Sequence, residues 1–173
     1  MARKLVRNNV RRLVGLDRVQ LALTGAAPIS PELIRWYVAL GIPLREVSGL
    51  TETTGGGTVT PRGASRPGSI GIPGPGVQMR ISEHGEIQLR GPVVFKGYLN
   101  LPEKAAEALD AEGWLHTGDV GRVDEAGCFY INDRMKDIII TAGGKNVTPS
   151  EWENQLKFSP DVTDAVVIGD KRA

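Results

Sequence analysis

The sequence is poor in the features that would class a protein at first glance. Its 173 residues hold one cysteine, Cys128, so no internal disulfide can form. Cys128 lies in a strand-like Cys-Phe-Tyr-Ile run with no His or Cys at metal-ligand spacing, which assigns it to packing. No run of about 18 apolar residues exists to span a membrane, and the first residues lack the apolar core of a signal peptide. A formal net charge of +1 gives the molecule as a whole no electrostatic case for binding nucleic acid. No internal repeat or low-complexity tract is visible. What is there is a composition 40% hydrophobic, enough to bury a core, and the expectation is a soluble cytoplasmic protein.

Charge is uneven at the start. Residues 1–18 carry Arg3, Lys4, Arg7, Arg11, Arg12 and Arg18 against Asp17, with Leu5, Val6, Val10, Leu13 and Val14 near helical spacing. Two readings stand, a peripheral membrane-surface helix and the solvated face of an ordinary amphipathic one. Val19 to Thr24 reads as a strand broken by Gly25-Ala26-Ala27-Pro28. Ser30 is placed as an N-cap with Pro31 at the first helical position, and Leu33, Trp36, Tyr37 and Leu40 follow helical spacing up to Gly41. A second strand, Ile42 to Val47, leads into Ser48-Gly49, completing a strand-helix-strand unit of a parallel sheet. Ligands collect at the C-terminal ends of such strands, where Gly25 to Pro28 and Ser48 to Glu52 both fall.

Residues 53–76 are rich in Gly, Thr and Pro without periodicity and read as an extended loop. Alternation at Val77, Met79 and Ile81, then at Ile87 and Leu89, predicts a hairpin turning at Glu83-His84-Gly85. Val93 to Tyr98 reads as a strand, Pro102 to Leu109 as a helix, and Val120 to Val123 pairs with Cys128 to Ile131 across Asp124-Glu125-Ala126-Gly127. Short antiparallel strands of this kind predict a small barrel or sandwich. Ile138 to Thr141 is a strand turned by Gly143-Gly144. Thr148-Pro149-Ser150-Glu151 has capping-box form at the head of a helix, and Asp164 to Ile168 opens a further strand. An αβ layer of about forty residues is below the size that usually folds alone, so the chain is expected to be truncated.

Chemistry concentrates in three places. Small residues at Gly25-Ala26-Ala27 let a flat ring lie against backbone amides, or simply make a tight strand-to-helix turn. Thr51 and Glu52 end the second strand with a hydroxyl and a carboxylate that suit phosphate oxygens and Mg²⁺. Asp119 follows Thr117-Gly118 at a glycine-flexed bend, where a carboxylate can accept two hydrogen bonds from neighbouring hydroxyls or close an Asx turn. Arg134 offers a planar fork of donors. His84 and His116 have no partner that the sequence can justify, and Trp36, Trp114 and Trp152 read as core.

Ser48-Gly49-Leu50-Thr51-Glu52, Gly113-Trp114-Leu115-His116-Thr117-Gly118-Asp119 and Asp133-Arg134 through Lys145-Asn146, in that order, resemble the AMP-forming adenylating family, most closely its long-chain acyl-CoA synthetases. Pro67 to Gly71 and Gly91 to Tyr98 extend the resemblance over nearly the whole chain. The resemblance implies a mixed α/β and α+β fold: the C-terminal part of a large domain, built of a βαβ unit and a small antiparallel barrel, followed by the start of a small mobile domain. It divides the chain into 1–65, 66–132 and 133–173. It also implies ATP, Mg²⁺ and coenzyme A, with a fatty acid as the other substrate. Gly25, Ala26 and Ala27 would then line the adenine pocket, Thr51 would contact phosphate, Glu52 would hold the metal, and Asp119 and Arg134 would take the ribose. Asp133 would be the hinge, and Gly143-Gly144 would swing in to line the thiol channel.

Ser48 stands where relatives of the family carry an aromatic that stacks on adenine, a loss of roughly 1–3 kcal/mol. The family's Ser/Thr/Gly-rich phosphate loop and distal catalytic Lys do not occur in these residues. The expectation is therefore a fragment of a fatty-acid–CoA ligase, inactive alone and completed by an upstream polypeptide. The rival readings are a non-catalytic nucleotide-binding module and a vestigial product of a split gene.

Overall fold

The computed structural model describes residues 2–27, 29–64, 66–141, 146–157, 159 and 161–169. Helix α1 (Ala2–Leu13) comes first. Arg11 folds back to donate to the carbonyls of Leu16 and Asp17, while Val6, Leu13 and Val14 are left exposed. No helix among the described residues is long and apolar enough to cross a membrane.

Strand β1 (Ala22–Thr24) pairs in parallel with β2 (Leu44–Ser48), joined by helix α2 (Pro31–Ala39). Ser30 is the N-cap, its hydroxyl accepting from the Leu33 N–H at 3.2 Å, and Gly41 adopts a positive φ that ends the helix. Ile34 and Ile42 are buried beneath α2 and its exit. The strand expected from Val19 forms only from Ala22, opposite Leu44. Pro43 has no N–H to offer a carbonyl further upstream, so the ladder cannot extend back. The stretch expected as pure loop, 53–76, contains β3 (Thr58–Val59) and β4 (Ile72–Pro73), which continue the sheet in the order β1-β2-β3-β4. Strands of two residues carry no periodic signal for a sequence reading to detect.

The second sheet is an antiparallel meander of β5 (Gln78–Ile81), β6 (Glu86–Arg90), β7 (Leu115–Val123) and β8 (Phe129–Arg134). Its core is Ile87, Leu89 and Phe129, with Ile70, Val77, Met79 and Ile81 packed against them. The hairpin expected from alternation is β5–β6, and Asp124 closes β7–β8 by accepting the Ala126 and Cys128 N–H groups. Helix α3 (Pro102–Ala108) precedes β7. The strand expected at 93–98 does not form. Val94 turns back to the Gly91 carbonyl, Phe95 N–H donates to the Glu52 carbonyl, and the Val93 carbonyl accepts from Thr54 Oγ1, so the backbone groups a strand would need are spent on the 51–54 turn.

Beyond β8, β9 (Ile139–Ile140) pairs with β10 (Asn146–Val147), and helix α4 (Pro149–Leu156) packs on β8. Residues 164–168 form no strand, because the Val167 N–H is taken by Glu153 Oε1 of α4. Thr148 is the N-cap of α4 by position, but its side chain does not make the cap bond. The cap comes from a distance: Asp133 Oδ2 accepts the Ser150 N–H at 3.0 Å and Asp133 Oδ1 accepts the Ser150 hydroxyl at 2.7 Å.

Candidate functional site

The two sheets meet along a cleft of about 370 Å³. One wall is the C-terminal end of β1 with Gly25, Ala26 and Ala27, and the end of β2 from Glu46 to Ser48 with Gly49 and Leu50. The other is Asp119 of β7, residues 131–134 of β8 and Ser150. Parallel strands opening toward their C-terminal ends build such a crevice by topology.

Local geometry explains several of these residues. A Cβ at Gly25 would sit 2.5 Å from the Val47 carbonyl oxygen, so β1 can lie this close to β2 only with glycine there. Ala26 holds φ 67°, a conformation costly for a residue with a Cβ, at the rim of the cleft. Asp119 and Arg134 are cross-strand partners in the β7–β8 ladder, and Arg134 Nε lies 3.0 Å from Asp119 Oδ1. A second Arg134 nitrogen donates to the Thr117 carbonyl at 3.0 Å. Asp119 is buried, and burial pushes its carboxyl above the usual range; Arg134 opposes that shift and Glu86 adds to it. Although Asp133 stands between them in sequence, Asp119 and Arg134 therefore hang on one ribbon.

Asp133 is 2% exposed and fully engaged: besides Ser150, its Oδ1 accepts the Arg134 N–H at 2.8 Å. Thr51 and Glu52 lie in a single 3₁₀ turn, Thr51–Thr53, that follows Leu50 of the cleft wall, and neither lines the cleft itself. The Glu52 carboxylate accepts from the Tyr98 hydroxyl at 2.7 Å. Buried Thr53 fixes the turn, its Oγ1 accepting the Leu50 N–H at 2.8 Å. Gly143 and Gly144 lie outside the described residues.

Three features escape the sequence reading. Glu46 lines the cleft, and burial raises its carboxyl from an ordinary 4.5 to about 7 against the opposing pull of the Gly68 N–H. Asn132 lines the opposite wall, on β8. His116, for which sequence offered no partner, has Glu86 Oε2 2.8 Å from its Nδ1. The register sets Gln88 opposite His116, with Glu86 two residues away along β6. The cleft thus offers carboxylates at Glu46 and Asp119 and one guanidinium at Arg134, an arrangement suited to a ligand rich in hydroxyl and amino donors that also carries negative charge.

A family model described as AMP-binding enzyme matches residues 1–99, more than half of the chain. The chain belongs to the AMP-binding enzyme family. Over 99% of its length it is 43% identical to the long-chain-fatty-acid–CoA ligase ACSBG2 of Gallus gallus, covering 23% of that protein. It is 42% identical to a putative fatty-acid–CoA ligase, fadD11, of Mycobacterium tuberculosis, covering 30% of it. Among solved structures, it superposes on o-succinylbenzoate CoA synthetase (MenE) of Bacillus subtilis in complex with the acyl-adenylate intermediate OSB-AMP. That match has a TM-score of 0.84 and 31% identity over 90% of this chain and 34% of that one. The chain therefore spans less than a third of the length of these curated relatives, and its mixed α/β and antiparallel architecture is that of the family's adenylating enzymes.

Family members use Mg²⁺ with ATP, and the residues present fit that ion in one respect. Among the described residues no group of three or more His, Cys, Asp and Glu gathers to cage a metal, while Glu52 stands as a carboxylate oriented by Tyr98. Mg²⁺ bound to nucleotide phosphates takes one or two carboxylates and keeps its waters, so a single oriented carboxylate is an adequate protein share.

Proposed function

We propose that this chain supplies the nucleotide wall of a fatty-acid–CoA ligase. In the reaction, a fatty-acid carboxylate oxygen attacks the α-phosphorus of ATP and expels pyrophosphate, leaving acyl-AMP. The thiol of coenzyme A then loses its proton, attacks the acyl carbon and releases AMP. The chain's own part is to bind and orient. Asp119 accepts the ribose 2′ and 3′ hydroxyls, and Arg134 holds it in place while donating to sugar or phosphate oxygens. Gly25, Ala26 and Ala27 form the floor for adenine, and Glu46 offers an acceptor to the amino edge of the base. Thr51 contacts phosphate, and Glu52 would hold Mg²⁺, which would neutralise charge on the phosphate oxygens.

Asp133 is the joint about which the segment from 135 onward turns between the two half-reactions, bringing Gly143-Gly144 toward the thiol. A long-chain acyl substrate is supported by the relatives named above. In this reading the phosphate loop comes from an upstream polypeptide and the catalytic Lys from a downstream one, and the 173-residue chain alone does not turn over. The observation that carries the proposal is the 3.0 Å Asp119–Arg134 pair at the wall of the cleft. The test is to supply the chain with ATP, Mg²⁺, a fatty acid and coenzyme A. Saturable ATP binding without sustained AMP release is expected; sustained release would overturn the fragment reading, and absence of ATP binding would overturn the nucleotide wall.

A further inference from the structure

Glu86 is a buried carboxylate whose partners converge on the bend before Asp119. Its Oε1 accepts the Gly118 N–H at 2.9 Å, and its Oε2 faces His116 Nδ1 at 2.8 Å and Gln88 Nε2 at 3.3 Å. Taking a carboxylate out of water is costly unless each lone pair is used, so a side chain so placed is expected to hold something in position.

What it holds is a β-bulge. Between the pairs Gln88↔His116 and Glu86↔Val120, β6 advances two residues while β7 advances four. The surplus falls on 117–119, where Gly118 takes φ +70°. Bulges re-aim side chains, and this one turns the Asp119 carboxylate to the cleft and to Arg134. Two bonds stitch its other groups: Thr117 Oγ1 donates to the Ile87 carbonyl at 2.6 Å and accepts the Asp119 N–H at 3.0 Å. The Gly118 N–H is met by the Glu86 carboxylate. The Glu86 charge also faces Asp119 and opposes its ionisation, a cost that packing alone would avoid with a neutral side chain.

We propose that Glu86 is a positioning residue for nucleotide binding: it fixes the Gly118 bend so that Asp119 presents its carboxylate to ribose, and His116 anchors Glu86 in that pose. This rests on reading Asp119 as the ribose ligand. Because Glu86 acts through Asp119, its removal must act on the hydroxyl contacts alone.

The test compares ATP with 2′,3′-dideoxy-ATP by calorimetry on the full chain. The unsubstituted protein is expected to prefer ATP by at least about tenfold, the worth of hydrogen bonds to a charged acceptor. Glu86→Ala should bring that ratio close to one, lowering ATP affinity while leaving dideoxy-ATP affinity nearly unchanged. Glu86→Gln, which keeps an oxygen for the Gly118 N–H, should restore much of the preference. His116→Ala, at a half-exposed side chain, should lower the ratio with the fold intact, and it decides the matter should Glu86→Ala not fold. An unchanged ratio in Glu86→Ala and His116→Ala, or equal losses for both nucleotides, would overturn the positioning role while leaving the nucleotide wall standing. Failure of the unsubstituted chain to distinguish the two nucleotides would overturn the ribose reading and this inference with it.

Discussion

Replacing Glu46 by Gln should stabilise the protein, and only above a defined pH. Burial in the cleft wall lifts the Glu46 carboxyl from 4.5 to about 7, with the Gly68 N–H pulling the other way. The folded state thus holds this proton more tightly than the unfolded chain does. Linkage fixes the sign: below about pH 4.5 both states are protonated and nothing is lost, between 4.5 and 7 stability falls as pH rises, and above 7 the loss is complete. At 1.36 kcal/mol per unit an enclosed carboxyl would lose about 3 kcal/mol, and water at the open side of the cleft reduces this to about 1–2 kcal/mol. Glutamine cannot ionise, and its oxygen can still accept the Gly68 N–H. Thermal or urea unfolding of the two proteins from pH 4 to pH 8.5 measures the difference. The melting temperatures should coincide at pH 4 and separate by about 3–6 °C above pH 7, the substituted protein being the more stable. Asp119, also raised chiefly by burial, tilts both curves alike and cancels. Parallel curves at every pH, or a less stable Gln protein at pH 8, would refute the reasoning.

Asp133→Ala removes the acceptor for the Ser150 N–H, the Ser150 hydroxyl and the Arg134 N–H, at a cost of about 2–4 kcal/mol to the seating of α4. A helix of eight residues does not persist unaided, so hydrogen exchange should show α4 amides unprotected while β6 and β7 exchange as before. The hydrogen bond to Glu52 raises the Tyr98 phenol above its usual 10.0. Ultraviolet titration of Glu52→Gln should bring one phenol midpoint down toward that value, and Tyr98→Phe should remove the same transition. An unmoved midpoint would mean that Tyr98 does not orient Glu52.

Much of the fold was legible because its signals are local. Ser30, Pro31 and Gly41 mark the ends of α2 within its own sequence, and alternation at Val77 to Leu89 marks a hairpin whose faces are set by period two. The apolar run at 93–98 misled because strand formation depends on free backbone partners, and those groups bond to a turn some forty positions earlier. Thr148 and Glu151 had the form of a capping box, yet the donor at the head of α4 is satisfied by Asp133, 17 positions upstream. At the site, Asp119 and Arg134 stood out by motif. Glu46 did not, since nothing in a strand of ordinary composition tells which glutamate will face a cleft. The His116–Glu86 pair was invisible for a related reason: it depends on a bulge that shifts the pairing of two strands.

The borrowed cap has a consequence for anyone recombining this chain with a homologue. A junction placed just after residue 134 looks neutral, because it keeps every strand of the larger sheet whole. It would nonetheless separate a helix from its cap: Asp133 stays with this chain, and an imported helix is seated on it only where it brings the two donors that Ser150 supplies. Successful exchanges should be those whose crossover lies upstream of β8, or whose donor supplies a hydroxyl and an amide in the place of Ser150.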